Sequence, residues 1–209
     1  MPININNIAV LVVSCDKYSD LWSPFFSLFR RFWPDCPFPV YLLSNQKSCD
    51  INGVVPILVG EDVSWSDNLR FGLDQINEEF ILMWIEDLLL IKKVDTEVIQ
   101  SICSEFIKIS GNYIRLNHRV KPDVPFNKYF GHISSGAIYR TSTVLSLWRK
   151  DVLHGLLKTG ESAWDFEIYG TVRSDKYDGF YSSCDNYFKV INCIIKGKWQ
   201  RNAVEKITS

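Results

Sequence analysis

Unbroken apolar runs alternate along the first half of the chain with segments whose apolar residues recur every three or four positions. Residues 8–14 are apolar up to a closing Ser14, the pattern of a strand buried on both faces of a parallel sheet. Over 20–32, the residues Leu21, Trp22, Phe25, Leu28, Phe29 and Phe32 line one helical face, and Pro34 stops the helix. Strands are predicted at 39–43 and 54–59, with a turn at Asn52 and Gly53 before the second and Gly60 closing it. Ser66 is suited to cap a helix that turns Leu69, Leu73 and Ile76 inward, and 80–85 is another buried strand. The order β-α-β-β-α-β, with strands apolar throughout, predicts an α/β sandwich: a mostly parallel central sheet flanked by helices.

In the second half the pattern predicts a helix over 95–109, capped by Asp95 or Thr96, and a strand over 113–116. Residues 117–131, with Pro122 and Pro125, read as a loop long enough to be functional or mobile. A strand at 133–140, a helix at 141–157 and a shorter helix at 163–171 follow. The tail from Gly179 holds one apolar stretch, 187–195, and then the basic Lys196-Gly197-Lys198-Trp199.

With 209 residues, 46% of them hydrophobic, the chain is sized for one core and one domain. A net charge of −1 and the absence of like-charge blocks give no reason to expect nucleic acid as a partner. The apolar runs fall well short of the roughly 20 residues that cross a bilayer. The first seven residues lack the basic start and apolar stretch of a secretory signal, so a cytoplasmic location is expected. Six cysteines without a CxxC pair fit neither a zinc site nor a redox motif and read as reduced thiols. Aromatic residues make up 14%, with seven tryptophans; this serves a sugar site that stacks pyranose faces or simply a Trp-rich core, and composition does not separate the two.

In an open α/β sheet the ligand lies beyond the carboxyl ends of the strands. After the first strand come Ser14, Cys15, Asp16, Lys17 and Tyr18, which offer a carboxylate for ribose hydroxyls and an aromatic for stacking, or an ordinary loop. After the strand at 80–85 stand Glu86 and Asp87, followed by four aliphatic residues. Two adjacent acids between apolar runs are costly to bury without a partner, and a divalent cation, Mn or Mg, on a diphosphate is one such partner. Only one of the pair can look directly into a site. The alternative is structural: Glu86 ends a strand and Asp87 bonds backbone amides in a turn. Lys196 and Lys198 around Gly197 could fold over a diphosphate, or form a basic surface turn. His118, His132 and His154 show no metal-ligand spacing, and no Gly-rich phosphate loop or His-Glu-x-x-His is present.

The succession Ala9-Val10-Leu11-Val12-Val13-Ser14-Cys15-Asp16, Trp65-Ser66-Asp67-Asn68-Leu69 and Phe80-Ile81-Leu82-Met83-Trp84-Ile85-Glu86-Asp87 resembles the nucleotide-sugar half of glycosyltransferases with the glycosyltransferase A fold. It is most similar to bacterial enzymes from polysaccharide, capsule and O-antigen synthesis clusters, from which Leu88 and Gly136 depart. The resemblance implies a nucleotide-sugar half over about 1–95 and an acceptor-side half over about 110–209. It further implies a donor site drawn from Ser14, Asp16, Tyr18, Trp65, Asn68, Glu86, Asp87, Lys196 and Lys198, with Asp87 and Glu86 as metal ligands. Trp164-Asp165-Phe166-Glu167 resembles the acceptor-side acidic helix of that group, which implies that one of the two acids is the catalytic base. Glu167 is the first choice, because aromatic neighbours would desolvate it and raise its pKa, and Asp165 is the second. The expected activity is transfer of a sugar, with inversion, from a nucleotide-diphosphate sugar to a hydroxyl of a saccharide acceptor, lipid-linked or not, with peripheral membrane attachment left open. A sugar nucleotidyltransferase and a non-catalytic binding domain are the alternatives.

Overall fold

The computed structural model describes residues 7–117, 120–195 and 198–201; His118, Lys196 and Gly197 lie outside them. The apolar run at the start forms β1 (Ile8–Val13), followed by a 3₁₀ turn at Asp16–Tyr18 and helix α1 (Ser19–Phe32). Then come β2 (Val40–Ser44), β3 (Val54–Leu58), α2 (Trp65–Asp74), β4 (Phe80–Ile85), β5 (Leu88–Leu90) and α3 (Thr96–Lys108). The second half comprises β6 (Tyr113–Arg115), β7 (Val124–Pro125), β8 (Phe130–His132), β9 (Ser146–Arg149) and α4 (Lys150–Leu156). A helical segment follows, built from α5 (Ala163–Asp165), a π-turn (Phe166–Gly170) and α6 (Thr171–Ser174). Strands β10 (Phe180–Ser183), β11 (Val190–Asn192), β12 (Ile194–Ile195) and β13 (Lys198–Trp199) complete the described chain.

The central sheet has nine strands in the order β3-β2-β1-β4-β9-β6-β10-β8-β7. Strands β3, β2, β1 and β4 are parallel neighbours, β9 runs antiparallel between β4 and β6, and β10 is again parallel to β6. Only β9 and β8 run against the rest, so the sheet is mostly parallel, as the apolar strands of the first half require.

Alternate residues of each buried strand feed two cores. Ile8, Val10, Val12, Phe80, Leu82 and Trp84 face α1 and α3, while Ala9, Leu11, Val13, Ile81 and Met83 face α2, α4 and Phe166. Trp22, Trp33, Trp84 and Trp148 are buried, and Trp84 packs edge-on against Phe25, Phe29 and Phe188 at 5.0–6.0 Å between ring centroids. Most of the tryptophan content therefore serves the core.

Four local expectations are corrected. The α2 cap is Ser64, whose hydroxyl accepts from Asp67 N at 3.1 Å, while Ser66 lies inside the helix and donates to Lys158 O. No strand forms over 133–140, where Gly136 has φ +80° and Tyr139 φ +53°; the strand is β9, inside the stretch expected to be helical, and the helix begins only at Lys150. The mostly apolar stretch 144–148, interrupted by Ser146, fits either period, and the gap between β4 and β6 selects the strand. The expected loop 117–131 contributes β7 and the start of β8. There Gly131 is needed, because a Cβ would come within 2.4 Å of Val124 O. Finally, β10 had no expected counterpart: Ser182 and Ser183 break its apolar pattern although both are buried.

Candidate active site

The register of the parallel strands sets the site. Val13 lies opposite Ile85, so β1 and β4 end flush and their following residues, Ser14 and Glu86, meet. Ser14 Oγ donates to Glu86 Oε1 at 2.9 Å and accepts the indole N–H of Trp22, from α1, at 2.8 Å. Glu86 is buried, and its pKa is pushed up to about 7, first by that burial and also by the neighbouring carboxylates Asp87 and Asp20, against the opposing Ser14 bond.

Asp87 occupies the turn between β4 and β5. Its backbone C=O accepts from Cys193 N at 2.8 Å, and its Oδ1 is buried without a hydrogen-bond partner. Burial pushes its pKa up to about 6. The Cys193 contact follows from the tail: β11 pairs antiparallel with β5, and the β12–β13 hairpin carrying Lys198 begins one residue beyond Cys193. The fold thus returns the chain to the acidic turn at Cys193, and Lys198 is exposed on the hairpin beyond it.

The loop after β1 is held from the side. Asp16 accepts the backbone amides of Asn45, Gln46 and Lys47 at 3.1–3.2 Å, while its own N–H donates to Asn45 Oδ1 at 3.1 Å. Desolvation opposes ionisation here, but the three amides outweigh it and hold the Asp16 carboxyl below its ordinary value. Asp16 is therefore a clamp between the ends of β1 and β2, with Tyr18 exposed beside it. Burial raises the Cys15 thiol, and the charges of Glu86 and Asp62 add to it, which brings the loop before α2 to the same end of the sheet. Asn68 shapes that loop through Nδ2 to Asp62 Oδ1 at 2.7 Å. Trp65 packs against Phe166 with the rings tilted by 44° and 5.4 Å between centroids, linking α2 to the helical segment that carries Glu167.

Glu167 lies across β9. Ser146 pairs with both Met83 and Arg115, so 142–145 leave the sheet at the end where Glu86 follows Ile85. Glu167 Oε1 accepts from Thr143 N at 2.8 Å and from the Ser142 and Thr143 hydroxyls at 3.1 Å each. Arg115 supports this loop from below, with Nη2 donating to Tyr139 O at 2.8 Å and Thr141 O at 3.3 Å. Trp164 points to solvent and gives Glu167 no shelter. Asp165 forms a capping box with Ser162, Oγ to Oδ2 at 2.7 Å, and these bonds hold its carboxyl below its ordinary value.

The structure therefore brings Ser14 and Glu86 into contact next to Asp87, leaves Lys198 on the hairpin that follows Cys193, and places Glu167 at the same sheet end, bonded to the loop that leads into β9. Ser142, Thr143, Arg115, Trp22 and Cys193 were not anticipated. The run Thr141-Ser142-Thr143 between apolar segments was the available signal for two of them. Among the described residues no group of three or more His, Cys, Asp or Glu could hold a metal by itself. A cation shared with a diphosphate needs only one or two carboxylates plus phosphate oxygens, and Asp87 Oδ1, buried without a hydrogen-bond partner, is the oxygen such an ion would use.

No protein-family profile and no curated protein matches this sequence. Among solved structures, the chain is similar to Staphylococcus aureus TarS 1–349, with TM-score 0.53 and 11% identity over 84% of this chain and 59% of that one. It is similar to the same protein in complex with UDP, with TM-score 0.55 and 12% identity over 84% and 59%. A third similar structure is the bifunctional IspDF from Campylobacter jejuni, at TM-score 0.50, 10% identity, and 88% and 52% coverage. This chain spans 59% of the TarS chain it matches. Together with the strand order these likenesses define the fold as a glycosyltransferase A-like α/β sandwich. No helix among the described residues is long and apolar enough to cross a membrane.

Proposed function

We propose that this chain is a glycosyltransferase that moves a sugar from a nucleoside-diphosphate sugar to a hydroxyl of a saccharide acceptor, with inversion, in the synthesis of a bacterial surface polysaccharide. The observation that carries the reading is the buried, unpartnered Oδ1 of Asp87 at the carboxyl end of β4, where the β1 loop, the loop before α2 and the returning tail converge. A buried carboxylate oxygen left without a donor is costly unless a ligand completes it. UDP is the first nucleotide to try, because the similar TarS structure holds it.

The two acids divide the work. Glu86 is fixed by the Trp22–Ser14 chain and braces the turn, whereas Asp87 faces the diphosphate. When bound, a divalent cation at Asp87, backed by Glu86, would neutralise charge on the leaving diphosphate. Lys198 adds a positive charge from the hairpin side. Glu167, held at one oxygen by Ser142 and Thr143, takes the proton from the acceptor hydroxyl. The hydroxyl oxygen then bonds to the anomeric carbon as the carbon–oxygen bond to the diphosphate breaks.

A nucleotidyltransferase would use a glycine-rich phosphate loop after β1. Here that position has no glycine, and Asp16 is committed to the amides of 45–47. The test is thermal shift against UDP-, GDP-, CMP- and dTDP-sugars with and without Mn²⁺, followed by turnover with saccharide acceptors. A donor at 100 times its dissociation constant should add about 2.7 kcal/mol of stability. Nucleoside triphosphate consumption with a sugar 1-phosphate would move the assignment to nucleotidyl transfer, and binding without turnover would leave a binding domain.

A further inference from the structure

The helical segment 163–174 is packed on one side and bare on the other. Phe166, Gly170, Thr171 and Ser174 are buried, whereas Trp164, Ile168, Tyr169 and Val172 are 76%, 54%, 56% and 68% exposed. The spacing of four keeps both rows in line over two turns, because the π-turn winds more slowly than an α-helix. Residues 136–143 run antiparallel beside it. They are fastened by Gly136 N to Asp175 Oδ1 at 2.8 Å, Thr141 N to Thr171 Oγ1 at 3.2 Å and Thr143 N to Glu167 Oε1 at 2.8 Å. This strip places Ile138, 78% exposed, and Tyr139 alongside the last helical turn.

Both carboxylates of the segment are engaged by the protein, Asp165 with Ser162 and Glu167 with Ser142 and Thr143. Just beyond it Asp175 accepts Gly136 N while still exposed, and Asp178 is exposed as well. Glu161, just ahead, is clamped by Arg173 through two bonds of 2.7 Å. Lys158 and Lys176 are exposed at the two ends.

We infer that this face docks on an anionic lipid bilayer, with the segment lying in the plane of the interface. Trp164 and Tyr169 suit the headgroup level, Ile138, Ile168 and Val172 enter the acyl boundary, and the two lysines reach lipid phosphates. A saccharide is a poorer fit, since three aliphatic side chains offer nothing to sugar hydroxyls and the acids that could bind them are engaged. The surface stands on this geometry and not on the proposed reaction. If Glu167 is the base, docking sets it beside a lipid-linked acceptor.

The test is co-sedimentation of the full chain with vesicles of phosphatidylcholine, alone or mixed with phosphatidylglycerol. The parent should bind the mixed vesicles, and the Ile168→Glu/Val172→Glu variant at least tenfold more weakly, with its melting temperature and nucleotide-sugar binding unchanged. Lys158→Ala/Lys176→Ala should weaken binding several-fold on anionic vesicles alone. Absence of parental binding, or equal binding by the Ile168→Glu/Val172→Glu variant, overturns the inference. So does a parental dimer in light scattering that this variant dissolves without any vesicle binding, which would assign the face to a second copy of the chain.

Discussion

Ser14 stands between Trp22 and Glu86, accepting the indole N–H at 2.8 Å and donating to Glu86 Oε1 at 2.9 Å. The relay ties the end of β1 to α1 and to the end of β4, and it fixes a carboxyl group inside the protein.

Stability should therefore depend on pH through Glu86. Its folded pKa, about 7, lies above the ordinary 4.5, so between those values the folded chain binds more protons than the unfolded one. Its contribution is fully present below the unfolded value and is lost as pH rises through the folded value. Asp87, raised from 3.8 to about 6, acts in the same direction. In EDTA, the melting temperature of the parent should fall from pH 4.5 to pH 7.5 relative to that of Glu86→Gln. Parallel profiles for the two proteins would show that Glu86 does not carry this dependence.

Asp87→Asn removes a buried charge whose Oδ1 has no hydrogen-bond partner, so the variant should melt no lower than the parent at pH 8. It should also lose the Mn²⁺-dependent part of donor binding in isothermal titration. Equal affinity for nucleotide-sugar in Mn²⁺ would remove Asp87 from the donor site. Activity that persists undiminished in EDTA would move diphosphate neutralisation to Lys196 and Lys198.

Glu167 and Asp165 are separable because their bonds differ. Glu167→Gln should lower kcat by about 10²–10⁴-fold with little change in donor affinity. Asp165→Asn loses a capping-box acceptor and should act on the melting temperature more than on kcat. Steady-state kinetics and melting curves on both variants decide it: loss of rate in Asp165→Asn with rate kept in Glu167→Gln reverses the roles, and parental activity in both leaves the base unassigned.

Asp16→Ala should lower the melting temperature by a few degrees, because three backbone amides lose their acceptor. The donor KM should rise with it, as Ser14 and Tyr18 lose the anchor of their loop. A raised KM with no change in melting temperature would instead make Asp16 a direct donor contact.

The parallel half was legible because its signals are local. Strands β1 and β4 are buried on both faces, so their apolar runs name them without knowledge of a partner, and the residues just after them, Ser14 and Glu86, follow from chain direction. The acidic pair could be located by the same logic. The antiparallel half was not legible in this way. β9 is a strand because β4 and β6 leave room for one between them, and 144–148 alone fits a helix equally well.

What the sequence by itself determined was the order of buried strands, the fold class and the position of the acidic pair, since unbroken apolar runs carry those in one dimension. Only the tertiary structure decided which way each polar side chain turns. It directs Asp16 onto the amides of 45–47, Asp165 back to Ser162, Glu167 to Ser142 and Thr143, and the tail onto Asp87 O through Cys193. Those contacts join residues from separate strands and loops, and a hydrogen bond is set by distance and direction in space, which residue order does not encode.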